Sequence, residues 1–127
     1  MKKSSLFLSV MMLLFIGGQT YAQETVPKEL LLSTLNSVAE LKLPNEKVTQ
    51  LMDYNTGFVD KVYDILDNDS EEKIKKGSLD GLNYAREKDL HVFLTKHETT
   101  QYLKLMEDAL KPLTKQDKLL KQIAKRP

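Results

Sequence analysis

Apolar residues recur at intervals of three and four along most of this chain, and runs that alternate between apolar and polar positions are missing. Such spacing places apolar side chains on one face of an α-helix, whereas a strand would need alternation. The pattern therefore predicts an all-α protein of four to five amphipathic helices. These helices would form either a compact bundle or paired helical hairpins that dimerise.

Two apolar stripes dominate the first part of the pattern. One helix is predicted from Pro27, a residue favoured in a first helical turn, to about Lys42. A second is predicted from about Pro44 to Leu66. Asn55 is the one polar residue in the apolar seam of this helix. We favour a position at the edge of the seam, where Asn55 would contact water. The alternative is a position inside the seam, where it would fix the register between helices. The seam consists of Val48, Leu51, Asn55, Phe58, Val62 and Ile65.

A third helix is predicted from the turn after Leu66 to about Phe93. Asp69 followed by Glu72 predicts a cap at its start, in which the Glu72 carboxylate would accept a hydrogen bond from the backbone N–H of Asp69. Gly77 lies inside this helix, and a glycine there costs up to about 1 kcal/mol relative to alanine. The helix would therefore either bend near Gly77 or tolerate it through its packing.

Helix-start signals follow in the last third of the chain. Thr95 and Glu98 predict a capping box, in which the hydroxyl accepts from one backbone N–H and the carboxylate from another. This box would start a fourth helix. Thr114 is predicted to cap a short last helix that contains Leu119, Leu120 and Ile123.

The first 22 residues have the features of a secretory signal peptide. Two lysines precede an almost unbroken apolar run from Leu6 to Ile16. Thr20 and Ala22 are small residues at the two positions that a signal peptidase recognises before its cleavage site. The run is shorter than the roughly 20 residues of a membrane span, so we expect cleavage near Ala22 and no stable membrane anchor. Residues 23–127 would then form a single helical domain, periplasmic or secreted.

The chain has no cysteine, and its 19 basic residues nearly balance its 18 acidic residues. Disulfides and thiol chemistry are therefore excluded, and the charge gives no reason to propose nucleic acid. Charge is nevertheless segregated, since acids dominate residues 53–72 and bases dominate residues 109–127. The basic end would either dock along the acidic face, within a chain or across a homodimer, or both faces would be solvated.

No pattern in the sequence matches a catalytic signature. A glycine-rich phosphate loop, a Ser-His-Asp set and a cysteine nucleophile are all missing, so we predict neither an enzyme nor a cofactor. His91 and His97 are six residues apart, whereas two ligands on one helix face need a spacing of four. We therefore predict surface histidines and no metal site, and a metal-responsive sensor is kept only as a third alternative.

Met52, Phe58, Tyr63, Phe93 and Met106 are the candidate client-binding residues. Methionine and aromatic side chains suit an adaptable apolar groove that binds varied partners. The same residue types at helical spacing also fill cores, and in a domain this small we favour the core interpretation.

Three stretches share an apolar residue, then Thr or Pro, then polar residues and a helical stripe. Independent helix caps would produce the same pattern. The stretches also resemble the Leu-Thr-x-x-Gln signature of the Spy/CpxP-type periplasmic helical proteins, with Pro44 in place of the first Thr. This resemblance implies a small, dimeric, cradle-shaped chaperone that works without nucleotide. The stretches begin at Leu41, at Leu94-Thr95-Lys96-His97 and at Leu113-Thr114-Lys115-Gln116.

These features predict an exported helical binding protein. It would act as an ATP-independent periplasmic chaperone or envelope stress-response protein that holds unfolded or partner proteins. The alternative is a structural or interaction protein that forms a closed helical bundle and docks one specific envelope partner. Oligomer size separates the two, because a cradle needs a homodimer to bury the seams of its long helices.

Overall fold

The computed structural model describes residues 25–125, so the predicted signal peptide lies outside the described residues. Within this range the chain is helical and has no strand, which confirms the predicted all-α fold. Two 3-10 turns, Ala39–Leu41 and Lys118–Leu120, precede α2 and α6. The α-helices are Lys28–Leu35 (α1), Asn45–Asp67 (α2), Glu72–Leu90 (α3), Lys96–Ala109 (α4), Lys111–Gln116 (α5) and Lys121–Ala124 (α6).

α2 is the central helix of the bundle. α1 and α3 pack along it, α4 contacts α1 and the first 3-10 turn, and α6 packs against α3. Because the apolar faces of these helices meet one another, their seams are buried within one chain. The buried apolar residues include Leu31, Leu35, Leu51, Phe58, Val59, Val62, Leu79, Leu90, Tyr102, Met106, Leu110, Leu120 and Ile123.

α1 is shorter than predicted and ends at Leu35 instead of near Lys42. Hydroxyl groups compete for the carbonyls of its last turn: Thr34 Oγ1 donates to Leu30 O at 2.7 Å, and such side-chain bonds weaken helix continuation. The chain then turns through Ala39–Leu41, and Lys42 adopts a left-handed φ of 53°. The apolar spacing of the predicted helix therefore continues into a 3-10 turn.

α3 runs from Glu72 to Leu90 without a break at Gly77, so the helix tolerates this glycine. The predicted cap at Asp69 is wrong, because no side chain caps the first turn of α3. Asn68 Oδ1 instead accepts a hydrogen bond from Ser70 N at 2.8 Å. The polar run after α2 is thus used to form the turn and not to start the next helix.

The predicted capping box at the start of α4 is confirmed. Thr95 Oγ1 accepts from Glu98 N at 3.0 Å, and Glu98 Oε1 accepts from Thr95 N at 2.9 Å. Two backbone donors that the helix itself cannot satisfy are therefore paired. Leu94, immediately before the box, is buried in the core.

The predicted cap at Thr114 is wrong. Thr114 lies inside α5, and its hydroxyl donates to Lys111 O at 3.0 Å. The helix begins earlier because Pro112 suits a first helical turn. The 3-10 turn Lys118–Leu120 that follows α5 is capped instead by Asp117, whose carboxylate accepts a hydrogen bond from Leu119 N at 3.0 Å.

The two threonines provide a matched test of capping. Replacing Thr95 with alanine should lower the free energy of unfolding by about 1 kcal/mol, because the N–H of Glu98 loses its acceptor. The same change at Thr114 removes only a bond within a helix and should shift stability by less than about 0.5 kcal/mol. Urea unfolding of both variants measures the difference, and equal losses would contradict the assigned caps.

Candidate protein-binding surface

The five candidate client-binding residues do not share one open surface. Phe58, Tyr63 and Met106 are buried in the core, and Phe93 is partly buried. Met52 is 44% exposed. Phe58, Tyr63 and Met106 therefore fill the core, in agreement with the favoured interpretation, whereas Met52 does not.

Tyr63 also anchors the segment that precedes α1. Its hydroxyl donates a hydrogen bond to Val26 O, and Val26 is fully buried. Burial raises the pKa of Tyr63 to about 12, so the phenol keeps this proton at neutral pH. The described chain is therefore fixed to the end of α2 from its first few residues.

An open groove runs between the first 3-10 turn and α4, and we call it the α4 groove. It consists of two depressions of about 280 and 520 Å³ that share Glu40 and Leu105. Both depressions are lined by the connection between α1 and α2 on one side and by α4 on the other. The remaining lining residues are Leu41, Gln101, Lys104 and Asp108 in the first, and Asn36, Ser37, Val38, Ala39 and Ala109 in the second.

The α4 groove combines apolar side chains with charges of both signs. Leu41 and Leu105 are partly buried in it. Glu40 is exposed on the turn and Lys104 is exposed on α4, and neither forms an ion pair with any of residues 25–125. The groove therefore offers an apolar contact area bordered by Glu40 and Lys104, and its other acid, Asp108, pairs with Lys111.

The sequence contained only a weak signal for the α4 groove. Leu41 lies near the end of the range predicted for the first helix, where the apolar spacing continues. Leu105 is adjacent in sequence to the apolar residues Leu103 and Met106, and nothing in the spacing distinguishes it as part of a surface groove. The groove exists because α1 ends early, which the spacing alone did not predict.

A buried polar cluster holds three helices together at the end of α1. Asn55 is fully buried, so our preference for an edge position in water is wrong and the interior alternative holds. Its Nδ2 donates to Leu35 O at 3.1 Å and to Asn36 Oδ1 at 2.9 Å. Tyr102 Oη donates to Leu35 O at 2.8 Å. α2 and α4 thus satisfy a carbonyl that α1 leaves unpaired at its end.

Arg86 is the second buried polar group, and it lies on α3 with 2% of its surface exposed. Its guanidinium lies over the ring of Phe58 at 4.8 Å, and Nη2 donates to Ile123 O at 3.1 Å. Nε and Nη1 have no hydrogen-bond partner in the described part of the chain. Burial lowers the pKa of this guanidinium below its ordinary value, because the charged form is desolvated.

The start of α4 is also tied to α2 by an ion pair. Lys47 Nζ lies 2.7 Å from Glu98 Oε1, the carboxylate that closes the capping box. The hydrogen bond from Lys47 and then that from Thr95 N hold the pKa of Glu98 below its ordinary 4.5. A carboxyl whose pKa is lower in the folded state stabilises the fold above the unfolded value, and that contribution is lost as pH falls through the folded value.

Acid should therefore destabilise the protein partly through Glu98. Replacing Lys47 with methionine removes the main cause of the lowered pKa, so the loss of stability on acidification below pH 4.5 should be smaller than in the parent. Urea unfolding at pH values on both sides of 4.5 measures this slope. Lys111→Met is the control, because its pair with Asp108 is exposed and should leave the slope unchanged.

The described residues hold no group of three or more His, Cys, Asp and Glu side chains that could bind a metal ion. His91 and His97 are both exposed, and the nearest acid to His91 is Glu87 at 4.0 Å. None of the helices in residues 25–125 is long and apolar enough to cross a bilayer.

No protein-family model matches this chain, no curated protein matches its sequence and no solved structure matches its fold. The class of protein therefore has to be inferred from the bundle and its surfaces. These define a small helical protein with one core and an apolar, charge-bordered groove on its outside.

Proposed function

We propose that this chain is an exported, non-catalytic interaction protein that docks one specific envelope partner in the α4 groove. The observation that carries the proposal is the location of the apolar residues. The predicted client-binding side chains Phe58, Tyr63 and Met106 are inside the core, whereas the α4 groove is open in the single chain.

The chemistry of the α4 groove indicates what the partner presents. An apolar side chain would rest on Leu41 and Leu105, a basic residue would face Glu40 and an acidic residue would face Lys104. Such charge complementarity sets orientation more than affinity. The occupant is therefore an amphipathic segment that carries an apolar residue between one base and one acid.

A photo-reactive amino acid in place of Gln101 tests this function in producing cells. Gln101 is exposed at the α4 groove, so irradiation should yield one discrete adduct with the partner. The same substitution at Ile74, an exposed apolar residue on α3, is the control and should give no such band. A smear of many adducts would favour the chaperone, and no adduct at Gln101 would refute the α4 groove as a binding site.

Replacing Leu105 with glutamate should abolish the discrete adduct, because a carboxylate then occupies the apolar part of the α4 groove. The variant should keep its helical circular dichroism, since Leu105 is only partly buried. Light scattering of an aggregating client, with the full chain at equal molarity and without nucleotide, completes the comparison. We expect no suppression of aggregation, and strong suppression would support the chaperone instead.

A further inference from the structure

The last described segment, Lys118–Lys125, lies across α3, and we call it the strap. It consists of a 3-10 turn and the four-residue helix α6. Leu120, Gln122 and Ile123 are its buried residues. A depression of about 310 Å³ lies between it, the end of α4 and part of α5. The strap therefore packs on α3 and on α5, and it leaves this open depression beside it.

Side chains of α3 hold the strap mainly by its backbone carbonyls. Arg86 Nη2 donates to Ile123 O at 3.1 Å, and Asn83 Nδ2 donates to Lys125 O at 2.8 Å. The ion pair between Lys125 and Asp80, at 3.4 Å, is half exposed. Exposed pairs contribute little to stability. Bonds to backbone carbonyls do not depend on the side chains of the strap, so the polar part of this contact would also accept another apolar helical segment that ends at the same place.

The fit between strap and α3 is electrostatically poor. No carboxylate of residues 25–125 lies within ion-pair distance of Arg86. Two of its nitrogens are unpaired, and so is Oε1 of the buried Gln122. The charged residues of the strap itself are all bases, namely Lys118, Lys121 and Lys125. A buried charge without a counter-ion is unfavourable, and an acid brought to it would relieve the cost.

We propose that the strap is displaceable and that the α3 surface beneath it binds an acidic amphipathic segment of another protein. A carboxylate of that segment pairs with Arg86, and its apolar face replaces Leu120 and Ile123. This site shares no residue with the α4 groove. Its test does not depend on the function proposed above.

A reversible lock of the strap tests the proposal in the full chain. Because the chain has no cysteine, Asp80→Cys combined with Lys125→Cys introduces a single pair of thiols. The two native side chains span this gap, so oxidation in the presence of propane-1,3-dithiol would join the thiols through one reducible linker between α3 and the strap. The probe is a fluorescein-labelled helical peptide of leucine, alanine and glutamate. We expect binding to the reduced protein and a loss of about tenfold or more on oxidation. Asp80→Ser with Lys125→Ser is the control and should not respond to oxidation.

Two single variants separate binding from folding. Asn83→Ser removes a bond to the strap and should strengthen probe binding several-fold, an effect that a purely structural role would not produce. Arg86→Met also removes a bond to the strap, at Ile123 O, but it eliminates the counter-charge, so binding should be about tenfold or more weaker than in the Asn83→Ser variant. Equal affinity of the locked and reduced forms, or no binding to the Asn83→Ser variant, would overturn the proposal.

A second copy of the chain is the competing occupant of the α3 surface. Light scattering coupled to size-exclusion chromatography of the reduced protein and the Asn83→Ser variant, without probe, decides this point. We expect monomers. A dimer that disappears when the strap is locked would assign the surface to self-association and would overturn the choice of an acidic partner.

Discussion

Replacing Arg86 with methionine should raise the free energy of unfolding by about 1–2 kcal/mol. Arg86 is 2% exposed and has one hydrogen bond, to Ile123 O, and one ring contact, with Phe58. These do not offset the removal of a guanidinium from water, whereas methionine fills the same space flexibly and carries no charge. Urea unfolding at neutral pH measures the change.

Arg86→Lys is the control for this prediction. A lysine keeps the charge but presents a compact, strongly hydrated ammonium that cannot lie flat on Phe58, so this variant should lose about 2–3 kcal/mol. A large loss in the methionine variant would mean that the native guanidinium is well satisfied. The electrostatic argument for an acidic partner at the strap would then fail.

Replacing Asn55 with alanine should lower the free energy of unfolding by about 3 kcal/mol. The change removes the donor that serves Leu35 O and Asn36 Oδ1, and it leaves a cavity between α1, α2 and α4. Leu35 O keeps its bond from Tyr102 Oη. The lost buried amide bonds still cost about 1–3 kcal/mol, and the cavity adds to that cost. Thermal and urea unfolding should both report the loss, with helical content unchanged.

Tyr102→Phe provides the comparison within the same cluster. It removes only the hydroxyl that donates to Leu35 O, so the loss should be about 1–2 kcal/mol. Because both side chains serve one carbonyl, the double variant should deviate from the sum of the single losses. Strict additivity would show that Asn55 and Tyr102 act independently and that the cluster does not couple the three helices.

The parts of the fold that the sequence predicted depend on neighbours close in the chain. The apolar spacing of α2 and the capping box of Thr95 and Glu98 involve residues three or four apart, and both are present. Thr114 had the same local appearance but lies inside a helix that begins near Pro112. A cap can therefore be predicted only as well as the start of its helix.

The buried polar groups depended on partners far along the chain. Asn55 bonds to residues 20 and 47 positions away, and Arg86 bonds to one 37 positions away. A polar residue on a helix usually faces water, so nothing local distinguished these two from exposed ones. The α4 groove depends in the same way on where α1 ends, and the apolar spacing did not predict that position.

The strap follows in the chain the helices on which it packs, and this order has a consequence for folding during synthesis. Chains are synthesised from the amino terminus, so Lys118–Lys125 follows every helix on which it packs. Until those residues arrive, the guanidinium of Arg86 lacks its bond to Ile123 O and keeps access to water. Docking of the strap therefore includes the dehydration of a charged side chain, an unfavourable step that burial of Leu120 and Ile123 must offset.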